Sequence, residues 1–148
     1  MKEKSYVMVK PWFASNNEVV NEIKRRLLEA GLKIEEESYI QYDREHARQH
    51  YKAHILKDFY PYLENYITSS EAYGMIVTGE DAISVIRTLV GSTKNPNPGT
   101  IRYDIPTKLN IPIRVTENVV HASDSVQAAE EEIEIFNDIV NKSNKIDV

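Results

Sequence analysis

Two hydrophobic periods alternate along this chain, and their order restricts the fold more than any other feature. Ser5 to Lys10 is short, rich in β-formers and closed by Pro11, whose missing N–H bars continuation as a central strand. After the Ser15-Asn16-Asn17 turn, Val20, Ile23, Leu27 and Ala30 recur at helical spacing, and Gly31 supplies the permissive residue expected just past a helix end. Leu32, Ile34 and Tyr39 to Tyr42 make an extended run interrupted by Glu35, Glu36 and Glu37, which suits an edge strand guarded by charge. Arg44 to Ile67 turns helical again, and Pro61 fits the first turn of the second member of a helical hairpin. Tyr73 to Val77 lacks helical spacing and reads as a buried strand ended by Gly79. Asp81 is placed to cap a helix that carries Ile83, Ile86 and Val90 before Gly91. Ser92 to Thr116 holds four of the six prolines and no sustained period, so a long loop is expected there. Val119 and Val120 open a short strand, and Ser123 or Asp124 caps a last helix with Val126, Ala129, Ile133 and Phe136. The chain after Asn137 reads as a frayed tail.

That order predicts an α+β architecture, a ferredoxin-like βαββαβ sandwich with a four-stranded antiparallel sheet and helices packed on it. A length of 148 residues supports one domain, 1–148. Lys and Arg number 18 against 23 Asp and Glu, a net charge of −5, so no nucleic-acid partner is expected. The absence of cysteine excludes a disulfide framework and a thiol nucleophile. No stretch approaches the roughly 18 apolar residues of a membrane span, and the N-terminal apolar run is too short for a signal core, so a cytoplasmic protein is expected. The G-x-x-x-x-G-K-[ST] string of a Walker phosphate loop does not occur.

Of the four histidines, His46, His50 and His54 stand four apart on an expected helix and would share a face. Such a row can chelate zinc or nickel, yet it lacks a carboxylate at a recognisable spacing, and Arg48 and Lys52 oppose a cation. Solvated histidines are the simpler reading. His121 stands where an apolar strand gives way to a helix cap, a place where it either hydrogen-bonds orphan amides or carries chemistry.

The block from Asn118 to Ser125, Asn-Val-Val-His-Ala-Ser-Asp-Ser, favours chemistry, because it is similar to the N-x-x-H-x-S-D-S signature of nucleoside diphosphate kinases. Five further blocks follow the family in order: Val9-Lys10-Pro11, His50-Tyr51, Phe59-Tyr60-Pro61, Arg87 with Gly91-Ser92-Thr93, and Pro98-Gly99-Thr100-Ile101-Arg102. The resemblance runs from Val7 to Phe136. It implies transfer of a γ-phosphoryl group from a nucleoside triphosphate to His121 and from there to a nucleoside diphosphate. Neutral imidazole suits this as a nitrogen nucleophile near neutral pH. Positioning and neutralisation of phosphate charge make up the rest of the task.

By the same resemblance Lys10 lies beside the γ-phosphate, Arg87, Thr93 and Arg102 hold the phosphates, and Tyr51 is close to the terminal one. Asn118 meets the sugar hydroxyl, and Phe59 and Val115 sandwich the base, although Phe59 could instead staple two helices. Glu132 orients the ring of His121, Ser123 completes the hydrogen-bond set unless it only caps, and the δ nitrogen attacks. Glu130, Glu131 and Glu134 read as the wet face of that helix. Mg2+ arrives with the nucleotide, no protein metal site is implied, and a homo-oligomer is.

Several positions depart from the family pattern. Trp12-Phe13 replaces Asp-Gly, Ala53 replaces a carboxylate, and Ser69-Ser70-Glu71 replaces Ser-Gly-Pro. The segment from Thr93 to Arg102 is shortened near the threefold axis of family hexamers. That from Arg102 to Asn118 is lengthened, with Tyr103 and Thr116-Glu117 in place of Gly and Gly-Arg. These changes motivate an alternative, a catalytically weak or inactive member that binds nucleotide or a protein partner for regulation.

Overall fold

In the computed structural model, which describes the backbone of residues 1–146 and the side chains of residues 1–143, four strands form one antiparallel sheet in the order β2-β3-β1-β4. The strands are β1 (Lys2–Val9), β2 (Lys33–Ile40), β3 (Ala72–Glu80) and β4 (Val120–Ala122). The helices are α1 (Asn17–Glu29), α2 (Arg44–His50), α3 (Tyr60–Ile67), α4 (Ala82–Val90), α5 (Ile101–Lys108) and α6 (Val126–Ile146). This is the expected ferredoxin-like arrangement, with α2 and α3 inserted between β2 and β3, and α5 between α4 and β4.

The run Tyr6-Val7-Met8-Val9 is apolar without alternation because β1 is central and buried on both faces. Val7 and Val9 pack with Ile23, Leu27 and Ile86 under α1 and α4. Tyr6 and Met8 face the opposite way, toward Tyr42, Ile67 and Phe136 under α2, α3 and α6. Local signals start the helices where expected. The Asn16 side chain accepts from the amides of Glu18 and Val19, the Asp43 side chain accepts from the amide of His46 at 2.7 Å, and Pro61 lies in the first turn of α3. Strand β2 is an edge, as its glutamates suggest.

The structure corrects five details. Gly79 does not end β3; it pairs with Glu3 inside the strand, and a Cβ there would lie 2.6 Å from the Leu32 side chain. Asp81 precedes α4 with a left-handed φ of 51° but makes no side-chain cap bond; Glu3 Oε1 accepts from the Ile83 amide instead, at 3.1 Å. The expected loop from Ser92 to Thr116 contains α5. The cap of α6 is Ser125, whose Oγ accepts from the Ala128 amide at 3.0 Å, rather than Ser123 or Asp124. Helix α6 also continues past Asn137, because Ile139 is buried beside Phe136 and extends its apolar stripe; residues 147–148 of the expected tail lie outside the described residues.

Candidate active site

Strand β4 pairs with β1 so that His121 lies opposite Met8. Val120 and Ala122 point into the core under α1 and α4, so the two-residue period turns His121 to the other face, beneath α2 and α6. Its Nε2 lies 2.9 Å from Glu132 Oε1 of α6, and the same oxygen accepts from Ser123 Oγ at 2.7 Å. Ser123 is fully buried and also accepts from the Tyr6 amide at 3.0 Å, so it is a bridge within the site and not a helix cap. His50, the last residue of α2, brings its Nε2 to 3.3 Å from His121 Nε2. All the protein hydrogen bonds of the His121 ring engage Nε2, and Nδ1 has no partner among the described residues.

Charge and burial set the state of these groups. Burial, reinforced by Lys10 and Arg102, holds the pKa of His121 down to about 3, so its imidazole is neutral near pH 7. Burial and the neighbouring His121 hold His50 equally low, at about 3. Lys10, just past the end of β1, is pushed down to about 7 by burial and by Arg102. Burial raises the Glu132 carboxyl above its ordinary value.

Arg102 enters from the first turn of α5 and is buried. Its guanidinium donates to Gly91 O at 2.8 Å, Thr93 Oγ1 at 3.2 Å and Val120 O at 3.1 Å. This tether draws α5, the Thr93 segment and β4 together. Burial and Arg87 lower the pKa of Arg102 to about 10. Arg87, in the last turn of α4, is half exposed and pairs with Asp124.

A single cavity of about 420 Å³ gathers these groups. Lys10, Tyr51, Phe59, Arg87, Thr93, Arg102, Val115, Asn118, His121 and Glu132 all line it, and Ser123 lies behind Glu132. Phe59 and Val115 are about half exposed, so Phe59 is not a buried helix staple. Tyr51 Oη and Asn118 Oδ1 are buried without a partner among the described residues, which leaves two polar atoms for a ligand to satisfy. Sequence reasoning did not assign His50 or Asp124 to the site, although both stand within the blocks that carried the resemblance, nor Tyr6 and Tyr42, for which no local signal exists. Glu130 and Glu134 are exposed as expected, whereas Glu131 faces the cavity and bonds Lys52 at 3.0 Å.

The row of His46, His50 and His54 does not converge. His46 Nε2 bonds Asp138 at 2.7 Å, His50 turns to His121, and His54 belongs to a 3₁₀ turn beside Phe59. The only group of potential metal ligands among the described residues is His50, His121 and Glu132, whose donor atoms lie within 4.8 Å of one another. Lys10 and Arg102 act on that space, so its field favours an anion.

A neutral imidazole held by a carboxylate shares one cavity with Lys10, Lys52, Arg87 and Arg102, an arrangement suited to an anionic ligand. Comparison with known proteins agrees. The family model for nucleoside diphosphate kinase matches residues 3–139. A nucleoside diphosphate kinase of Archaeoglobus fulgidus is 45% identical over 137 residues, 90% of this chain and 85% of that protein. One from Listeria monocytogenes is 41% identical over 137 residues, covering 90% and 88%. The solved Halobacterium salinarum nucleoside diphosphate kinase in complex with CDP superposes with a TM-score of 0.82 at 34% identity, covering 92% of this chain and 88% of that one. The chain belongs to the nucleoside diphosphate kinase family, and its function is transfer of a terminal phosphoryl group from a nucleoside triphosphate to a nucleoside diphosphate. No helix among the described residues is long and apolar enough to cross a membrane.

Proposed function

We propose that His121 is the phosphoryl carrier of this kinase. Its Nδ1 attacks the γ-phosphorus of a nucleoside triphosphate; the new P–N bond forms as the bond to the β-phosphate oxygen breaks, and the diphosphate leaves. A second nucleoside diphosphate then attacks with its terminal oxygen and restores the imidazole. The observation that carries this reading is the commitment of His121 Nε2 to Glu132, which leaves the δ nitrogen as the free lone pair. Glu132 also stabilises the ring as positive charge develops on it, as a carboxylate partner does for other catalytic histidines.

Lys10, Arg87 and Arg102 surround the phosphates, with Thr93 held beside them by Arg102. Arginine presents two parallel donors to phosphate, where lysine acts as a point charge. Tyr51 offers its unpartnered hydroxyl to the terminal phosphate and Asn118 its unpartnered oxygen to a sugar hydroxyl. Phe59 and Val115 stand at the mouth, where stacking accepts any base. The ligands are nucleoside di- and triphosphates, the class to which the CDP of the Halobacterium salinarum complex belongs. The carboxylates lining the cavity are already partnered, Glu132 with His121 and Ser123, Glu131 with Lys52 and Asp124 with Arg87. A hard Mg2+ would therefore be held chiefly by the phosphate oxygens of the nucleotide, with exposed Asp124 the carboxylate nearest to hand should Arg87 turn to the phosphates. When bound, that ion neutralises charge on the phosphate oxygens.

We read residues 1–148 as a single domain in a cytoplasmic homo-oligomer. The weak or inactive alternative drew on the altered loops and on the loss of a carboxylate at Ala53; Glu132 holds the histidine ring, so the change at Ala53 leaves that ring oriented. Initial rates measured with both substrates varied should give parallel double-reciprocal lines. The variant His121→Asn should lose about 10³-fold or more of the exchange while remaining folded. Intersecting lines, or turnover retained in that variant, would overturn the carrier role.

A further inference from the structure

Between α5 and β4 the chain lacks the backbone bonds that fix its neighbours. Pro106 O accepts from the Ile111 amide and Val119 O from the Lys10 amide, each at 3.0 Å, but among the described residues 112–118 make no backbone–backbone hydrogen bond. This stretch nevertheless supplies Val115, Thr116 and Asn118 to the cavity. A strand or helix takes its shape from a ladder; here side chains must set it. Three bonds do so. Asn118 Nδ2 donates to Val115 O at 2.6 Å, Lys10 Nζ to Thr116 O at 3.3 Å, and Arg114 Nη1 to Glu117 Oε2 at 2.7 Å.

The first two bonds are made by side chains that also serve the ligand, Asn118 at the sugar and Lys10 at the phosphates. Arg114 and Glu117 are not among the residues lining the cavity, so theirs is the bond that a ligand leaves alone. Fully exposed ion pairs hold little, but this one is half withdrawn from water: the Arg114 side chain is 55% exposed and that of Glu117 only 10%. A carboxylate so far removed from solvent depends on its partners. Its second neighbour is on α3, where Glu117 stands against the Tyr62 hydroxyl and raises its pKa. Tyr66, one turn further along α3, donates to Pro11 O at 2.7 Å. Helix α3 thus braces both chains that flank Lys10, one through Tyr66 and the other through Glu117. Thr116-Glu117 stands where the family pattern has Gly-Arg, so this clamp does not come with that pattern.

We infer that Glu117 is a positioning residue for the nucleoside end of the substrate: bonded to Arg114 and set against Tyr62, it fixes the turn that brings Val115 to the base, Asn118 to the sugar and a carbonyl to Lys10. This rests on the reading of Phe59, Val115 and Asn118 as the base and sugar end of the cavity. A loosened turn must be ordered again each time nucleotide binds, so the cost falls on affinity. Bound nucleotide then holds the turn itself, and the chemical step is spared. The phosphates are held elsewhere, by Arg87 of α4, Arg102 of α5 and Thr93 between them.

The test compares ADP with inorganic pyrophosphate, which carries the phosphates without base or sugar, by their dissociation constants on the whole protein. The wild type should bind ADP more tightly than pyrophosphate. In Glu117→Gln the constant for ADP should rise about three- to tenfold, the equivalent of one hydrogen bond, while that for pyrophosphate stays within about twofold. In steady state KM for nucleotide should rise alongside, with kcat within about twofold of wild type. Arg114→Gln, at a half-exposed side chain where folding is not at stake, should act in the same way. The double variant should be no worse than either single one, because both remove one clamp. A wild-type preference for ADP retained in either variant overturns the inference, and so does equal weakening of both ligands, which marks a general loss of structure. A wild type that does not prefer ADP to pyrophosphate defeats instead the underlying reading of the base and sugar end.

Discussion

Arg87 and Arg102 carry the same charge but are held differently, and the difference can be measured. Arg102 is buried and satisfies two backbone carbonyls and a hydroxyl, so Arg102→Lys leaves acceptors that lysine cannot reach together. It should lose about 1–3 kcal/mol of folding stability as well as activity. Arg87 is half exposed and, among the described residues, bonded only to Asp124, so Arg87→Lys should raise KM for nucleotide and leave the urea midpoint in place. Equal effects of the two substitutions on urea unfolding would refute this division. His50 and His121 act together in the pH dependence of stability. Their folded pKa values near 3 lie below the ordinary 6.5, so between those limits the unfolded chain binds protons that the folded chain refuses. Stability from this source is complete above about pH 6.5 and is lost as pH falls toward 3. Burial of Glu132 works in the opposite sense, but it is one group against two. The urea midpoint should therefore be lower at pH 5 than at pH 7, and an equal or higher midpoint at pH 5 would contradict it.

Elements were legible in the sequence where period and punctuation agreed. Strand β1, helix α1 with its Asn16 cap and helix α3 with Pro61 follow directly from the residues. Helix α5 was hidden because Pro106 sits inside it, Thr100 makes no side-chain cap bond, and its buried apolar residues reduce to Ile101, Ile105 and Pro106. What fixes α5 is tertiary, namely the reach of Arg102 to Gly91 and Val120. The packing of α6 on the sheet likewise depends on a residue that lacks a side chain. A Cβ on Gly74 of β3 would lie 2.7 Å from the Phe136 ring and 2.8 Å from Tyr6 Oη. Gly74→Ala should cost about 1–3 kcal/mol in thermal or urea unfolding, as overpacking does. An unchanged stability would show that α6 can shift freely on the sheet.

At the scale of the molecule, the site is assembled from β1, β4, the ends of α2 and α4, the start of α5 and the middle of α6, which meet because the sheet order places β4 beside β1. Strings resembling the family's identified about half of its lining residues. The contacts among Tyr6, Tyr42 and His50 were illegible, because these residues lie on β1, on the connection between β2 and α2, and at the end of α2, and meet only through chain packing. The proposed chemistry places the phosphoryl group on one nitrogen of His121. Brief incubation with a γ-labelled nucleoside triphosphate, followed by peptide mapping and phosphorus NMR under alkaline conditions, locates that group. The expected result is an acid-labile, alkali-stable phosphate on His121 Nδ1 that is discharged by added nucleoside diphosphate. A folded protein that takes up no label, or takes it up on Nε2 or on another residue, would contradict the account.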